Sequence, residues 1–219
     1  MAQQSLKTPQ SKKIDSVALT PVTYGLRVGI DMSSLIRTVA IPDYNGFMAM
    51  ADYRISPNLY LAGEIGNEEI ARESDRLDYQ TKGTFFKAGV DYNVFENWKG
   101  MDNLIYFGGR LGAAQFSQTL TRYEFNADSD FFPLPDQEVE RTTDGLNSLW
   151  LELQLGVKVE VLSQLFIIAN VQLRHTLSES TPPNFDNLYI PGFGRTYDTT
   201  DIGTGFTYGI MYKIPFYKK

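Results

Sequence analysis

Leu149-Trp150-Leu151-Glu152-Leu153-Gln154-Leu155-Gly156-Val157-Lys158-Val159-Glu160-Val161 alternates without a fault, aliphatic at every odd position and polar, small or indole between. A helix would mix the two sets on shared faces. A strand separates them, because its side chains point alternately to opposite sides. The same period closes the chain, with Phe206, Tyr208, Ile210, Tyr212, Ile214 and Phe216 against Gly205, Thr207, Gly209, Met211 and Lys213. It also opens the domain, where Tyr24, Leu26, Val28 and Ile30 alternate with Gly25, Arg27, Gly29 and Asp31. Phe47 to Ile55, Leu59 to Ile65, Tyr79 to Val94, Leu104 to Phe116 and Leu165 to Arg174 are likewise β-rich and bounded by turn residues. The count comes to about eight strands, and no sustained, capped helical spacing is found, so no long helix is expected.

The connections fall into two populations. Ser56-Pro57-Asn58, Glu96 to Asn103 and Leu162-Ser163-Gln164 are short or moderate, whereas Leu120 to Gly145 and Ser178 to Asp201 are long and Asn67 to Arg76 is intermediate and charged. Tight turns at one end and long loops at the other are the asymmetry of outer-membrane barrels. Composition narrows the field further. Twenty Lys and Arg against twenty-six Asp and Glu give a net charge of −6, which opposes nucleic-acid binding. With no Cys and one His, thiol catalysis, disulfides and multi-ligand zinc sites are excluded. No apolar run approaches the roughly 18 residues of a membrane helix.

Glycine separates a lumen-facing polar side from a solvent-facing one. Gly25, Gly29, Gly89, Gly108, Gly112, Gly156, Gly205 and Gly209 share that side with Arg27, Asp31, Asp52, Arg54, Glu64, Lys87, Asp91, Arg110, Glu152, Lys158, Glu160 and Arg174. Glycine weakens an exposed strand, but inside a narrow barrel it makes room for long charged side chains. Near-balance of sign predicts mutual pairing and a plugged lumen, with a solvated lumen as the alternative. On the apolar side Tyr24, Tyr53, Tyr92, Tyr212 and Phe216 gather at the short-turn end, with Trp98 in a turn beside them, as in an interfacial aromatic girdle.

The segment Gly205 to Phe216, alternately apolar and ending in an aromatic residue before Tyr217-Lys218-Lys219, resembles the C-terminal strand of outer-membrane β-barrels. Tyr24 to Phe216 as a whole resembles the small eight-stranded barrels typified by the OmpA membrane domain and OmpX. In its Ala2-Gln3-Gln4 start and tyrosine-rich strands it is similar to small barrels of the Bacteroidota. The resemblance implies an up-and-down antiparallel transmembrane barrel over 22–219 in a cell outer membrane, both termini periplasmic, inserted by the barrel-insertion machinery. Residues 1–21, rich in Ser, Gln, Pro and Lys, are expected to form a flexible periplasmic tail of a mature sequence bearing an added Met.

Chemistry is sparse. His175 falls in the apolar register, and the His–Ser spacing of outer-membrane lipid A deacylases is broken by Leu177, with Ser178 one further on, so no catalytic residue is assigned. The acidic run Asp128, Asp130, Asp136, Glu138, Glu140 and Asp144 lacks a calcium-loop pattern, and Gly108-Gly109-Arg110-Leu111-Gly112 lacks the helix a phosphate loop needs; no metal or cofactor is expected. The long connections carry Phe131, Phe132 and Leu134, then Phe185, Tyr189, Phe193 and Tyr197, which either pack over the barrel mouth or meet a partner. The expected function is a non-enzymatic scaffold or accessory subunit contacting outer-membrane lipid and an envelope protein. The alternatives are a lipid-modifying enzyme and a soluble lipocalin-like carrier with its apolar face inward.

Overall fold

The computed structural model describes residues 23–74, 77–95, 102–123, 137–197 and 199–218. Its chain order is β1 (Thr23–Asp31), α1 (Met32–Ala40), β2 (Tyr44–Ser56), β3 (Leu59–Arg72), β4 (Leu77–Asn93), β5 (Leu104–Tyr123), β6 (Gln137–Leu162), β7 (Leu165–Glu179), β8 (Tyr189–Ile190), β9 (Gly194–Arg195) and β10 (Ile202–Lys218). Eight antiparallel strands close in the order β1-β10-β7-β6-β5-β4-β3-β2, and β8 and β9 form a separate ribbon. This is the all-β, up-and-down closed barrel that the alternation predicts. Eight strands leave an interior just wide enough for side chains to fill.

The alternation sorts as the sequence reading expects. Leu61, Ile65, Val90, Phe107, Leu153, Val171 and Phe206 are exposed on the outside, while Arg27, Asp52, Lys87, Arg110 and Lys158 are buried inside. A soluble carrier with an apolar interior is therefore not the arrangement observed. No Asp, Glu, Lys or Arg occupies the outward positions between Leu26 and Ile30, Phe47 and Ile55, Leu59 and Ile65, Phe86 and Tyr92, Ile105 and Ala113, Leu149 and Val161, Leu165 and Leu173, or Thr204 and Phe216. On β5 this belt runs nine residues, Ile105 to Ala113, comparable to the roughly 9–11 that a tilted strand needs to cross a bilayer. Its upper limit is a polar row in cross-strand register, Asn67, Thr84, Gln115 and Asn147. At the short-turn end Tyr24 stacks on Tyr217 at 5.1 Å, and Tyr53 lies 6.3 Å from Phe216. Trp98, residues 1–21 and Phe131, Phe132 and Leu134 lie outside the described residues.

Three expectations need correction. The span Leu120 to Gly145 is not one loop: β5 continues to Tyr123 and β6 starts at Gln137, so Glu138, Glu140 and Asp144 belong to a strand. Asn67 to Arg72 likewise belongs to β3. Above the belt the outward face is polar and the inward face mixes Phe116 and Leu120 with Glu68 and Gln118, so a hydrophobicity period loses its signal. The third concerns α1, a short helix in a stretch assigned no element. Met32, Leu35, Ile36 and Val39 carry the i, i+3, i+4, i+7 spacing, and the Asp31 carboxylate caps it, accepting from the Ser33 and Ser34 backbone N–H groups at 2.9 Å each.

Candidate functional site

Seven of the eight barrel strands contribute to one chain of ion pairs down the lumen. Arg27 Nε meets Asp52 Oδ1 at 2.7 Å, and Lys158 Nζ bridges Asp52 Oδ2 at 2.7 Å and Asp91 Oδ2 at 2.9 Å. Arg110 joins Asp91 at 2.7 Å to Glu64 at 3.4 Å, while Lys87 joins Glu64 to Glu152 at 3.2 Å each. Arg174 Nε closes the series on Glu152 Oε2 at 3.0 Å. Five cations thus alternate with four carboxylates, so that each interior charge has an opposite neighbour on at least one side. Aromatic faces add to this: Arg27 lies over Tyr60 at 4.6 Å and Lys158 over Tyr106 at 4.7 Å.

Of the twelve lumen charges read from the sequence, these nine come together and three do not. Asp31 faces inward, but its carboxylate is taken up by the N-terminus of α1 and the Ser33 and Ser34 hydroxyls. Arg54 pairs with Asp102, which also holds Lys213, forming a second cluster at the short-turn end. Glu160 sits at the β6–β7 turn and accepts the Gln164 backbone N–H at 2.9 Å. Strand alternation identifies the face but not the height along it, and height decides which charges meet.

The other end of the lumen is apolar and closed by the chain itself. Ile190 and Phe193, from the segment between β7 and β10, pack among Met48, Phe85, Phe116, Leu146 and Trp150. Tyr189 is 7% and Phe193 2% exposed, so these two belong to the plug and not to an accessible partner surface. Phe185 is half-buried and Tyr197 exposed. The plug is pinned by Glu68, whose carboxylate accepts from Tyr44 Oη at 2.7 Å, Tyr189 Oη at 2.8 Å, the Gly192 backbone N–H at 2.9 Å and Arg37 Nη2 at 3.2 Å. Burial, with the Glu68 charge behind it, pushes the Tyr189 phenol well above its ordinary value. Sequence reading missed Glu68 because it placed Asn67 to Arg76 in a loop; continuing the period from Glu64 through Gly66 would have found it. His175 is outward, in register with Leu151 and Ile202.

Two spaces among the described residues bear on the lumen. One of about 20 Å³ lies amid the ion pairs beside Asp52, Glu64, Arg110 and Lys158, with room for a single water. The other, about 590 Å³, lies under the plug beside α1 and reaches Arg37, Glu68, Lys87 and Arg174.

The chain is similar in outline to solved β-barrel structures. These include Ail, the attachment invasion locus protein of Yersinia pestis, at 12% identity over 87% of this chain and 97% of that one, TM-score 0.42. Neisserial surface protein A aligns at 12% over 87% and 96%, TM-score 0.44, and Acinetobacter baumannii CarO2 at 10% over 89% and 99%, TM-score 0.45. At these identities neither activity nor partner carries over. No curated protein matches the chain. A family model, described as Domain of unknown function (DUF6048), matches residues 1–219, and the chain belongs to that family.

Proposed function

We propose that this protein is an ion-tight outer-membrane barrel that serves as a non-enzymatic binding subunit for another envelope component. The observation that carries the membrane reading is the inverted barrel: an outside free of charge across the belt, around a lumen holding nine paired charges. In water such an exterior would be an exposed apolar surface far larger than a monomer tolerates. In a bilayer it is the solvated surface, and the closed ladder leaves few backbone groups unpaired.

The binding role is supported by what rises above the belt. From Gln115 to Tyr123, β5 runs about 27 Å along its length, at ~3.4 Å per residue, beyond the polar row, paired with β4 and β6 throughout most of that distance. This projecting sheet is the surface offered to a partner. Its outer face is polar, with Thr119 and Thr142 hydroxyls 2.9 Å apart. Glutamate at both Thr119 and Thr142 is expected to abolish co-purification of a stoichiometric companion from native membranes while the barrel stays heat-stable in detergent. Retention of every companion by Thr119→Glu/Thr142→Glu would remove the binding role from this surface. In planar bilayers the parent is expected to show negligible conductance; a large steady current would refute the ion-tight lumen.

A further inference from the structure

Beside α1 the barrel wall has a place where strand does not meet strand. β1 stops early, its last partners being Gly209 on β10 for Asp31 and Ala49 on β2 for Ile30. Above that level the edge of β10 from Ile202 to Tyr208 and the edge of β2 from Tyr44 to Met48 face α1 instead. The β2 side is sealed: Gly46 N donates to Thr38 Oγ1 at 2.9 Å, and the Thr38 hydroxyl shares its proton between Ser34 O at 2.9 Å and Gly46 O at 3.2 Å. On the β10 side, among the described residues, no backbone hydrogen bond joins the edge to α1 or β2. A seam with free N–H and C=O groups therefore lies between α1 and β10, beside the apolar belt, where unsatisfied backbone groups are costly.

Three further features converge on this seam. The 590 Å³ cavity lies against this stretch of β10, bounded by Thr204, Gly205, Phe206 and Thr207 together with Val171 and Gln172 of β7. α1 is turned polar side in and apolar side out, with Ser33 and Ser34 buried while Ile36 is 47% and Val39 90% exposed. Outside, Phe206 and Tyr208 stack within 2° of parallel as a flat aromatic shelf along the same edge. The charges lining the cavity are Arg37, Lys87, Arg174 and Arg195 against Asp31 and Glu68. Both carboxylates are already committed, Asp31 to the helix cap and Glu68 to its four donors, and on the cationic side Lys87 and Arg174 are held by Glu64 and Glu152, which leaves Arg195 without an ion pair among the described residues. Arg37 Nε, in addition, is a buried donor with no hydrogen-bond partner among the described residues.

We infer that this seam is a lateral lipid site, in which the anionic phosphate head group of a membrane lipid seats in the cavity and its acyl chains remain outside against α1 and the Phe206–Tyr208 shelf. The head group meets Arg37 and Arg195 and the free β10 edge, and the chains stay in hydrocarbon. No bond is made or broken. Gly205 makes room for the Arg174 guanidinium and Gln172, on which a Cβ there would press. The inference rests on the membrane reading above.

The test is native mass spectrometry of the full chain refolded in detergent, with dioleoylphosphatidylglycerol and dioleoylphosphatidylcholine as probes. One phosphatidylglycerol per barrel is expected to be retained at least tenfold better than phosphatidylcholine, and at least tenfold less well by Arg37→Gln/Arg195→Gln, with Lys82→Gln on the outer wall unchanged. Equal retention of both lipids, an unaltered Arg37→Gln/Arg195→Gln variant, or displacement of the lipid by millimolar inorganic phosphate would overturn the site. In the parent protein, a phosphatidylglycerol with a photoreactive acyl chain should crosslink within 202–208 or α1; crosslinks spread evenly round the belt would also overturn it. Folding without detergent would sink the membrane reading itself, whereas folding only in detergent with no lipid retained would sink the lipid site alone.

Discussion

Lys158→Met tests whether the lumen is held by the ion-pair chain. Methionine nearly conserves volume, so the change removes the ammonium and little else. Lys158 Nζ lies 2.7 Å from Asp52 Oδ2 and 2.9 Å from Asp91 Oδ2, which puts the two carboxylate oxygens within about 6 Å of each other by geometry alone. At an effective dielectric near 20, two like charges at that separation repel by about 3 kcal/mol, a repulsion the ammonium cancels in the parent. Each carboxylate keeps one arginine, Arg27 or Arg110, so the loss should sit at the lower end of the ~3–5 kcal/mol typical of a broken buried pair. The assay is reversible urea unfolding in lipid vesicles followed by tryptophan fluorescence and by the gel-mobility shift of folded barrels. Adding Asp91→Asn to Lys158→Met should recover more than half of the loss, because it removes one of the two repelling charges. A Lys158→Met barrel within ~0.5 kcal/mol of the parent would show that the chain is not what holds the interior, and the reasoning would be wrong.

Leu153, 65% exposed on the outer wall, should tolerate no charge: Leu153→Arg is expected to lower stability in vesicles by about 2–4 kcal/mol and to reduce assembly, and an unchanged urea midpoint would place that face elsewhere. Gly112→Ala should destabilise by about 1–3 kcal/mol because a Cβ there would overlap the Trp150 indole, while Gly109→Ala, which points into open space, should change little; equal effects would refute the lumen packing. Tyr189 has a phenol raised above its unfolded value, so its contribution is fully present below about pH 10 and is lost as pH rises through the raised value. Protease nicking within 180–201 should therefore begin only at strongly alkaline pH, and Tyr189→Phe should admit it at neutral pH by leaving Glu68 short of a donor at a loss of ~1–3 kcal/mol; equal resistance of the two proteins would show that the plug is held by something else.

Period two was enough to read the barrel from the sequence, because a strand must present alternate side chains to opposite faces whatever surrounds it. Hence Leu149 to Val161 announces its strand, the inward glycines announce a narrow lumen, and Arg27, Asp52, Lys87, Arg110 and Lys158 are placed on the correct side. Alternation carries no height, however. That Lys158 bridges Asp52 and Asp91, 106 and 67 residues away, follows from the stagger between strands as the barrel closes. The upward extension of β5 and β6 was hidden because the inward face there mixes apolar Phe116, Leu120 and Leu146 with polar Gln118, and the role of Glu68 was hidden with it. From sequence Tyr189 and Phe193 could either pack over the barrel mouth or meet a partner, and only the folded chain decides for packing, since the mouth formed by Met48, Phe85 and Trp150 exists only once distant strands are paired. The seam beside α1 is of the same kind. Asp31 and the Met32, Leu35, Ile36, Val39 spacing were there to announce a capped helix, but that this helix stands in for a missing strand is a property of the closed ladder. Local sequence determines which way each side chain points; which side chains meet is decided by closure, because contact in a barrel depends on register between strands far apart in the chain.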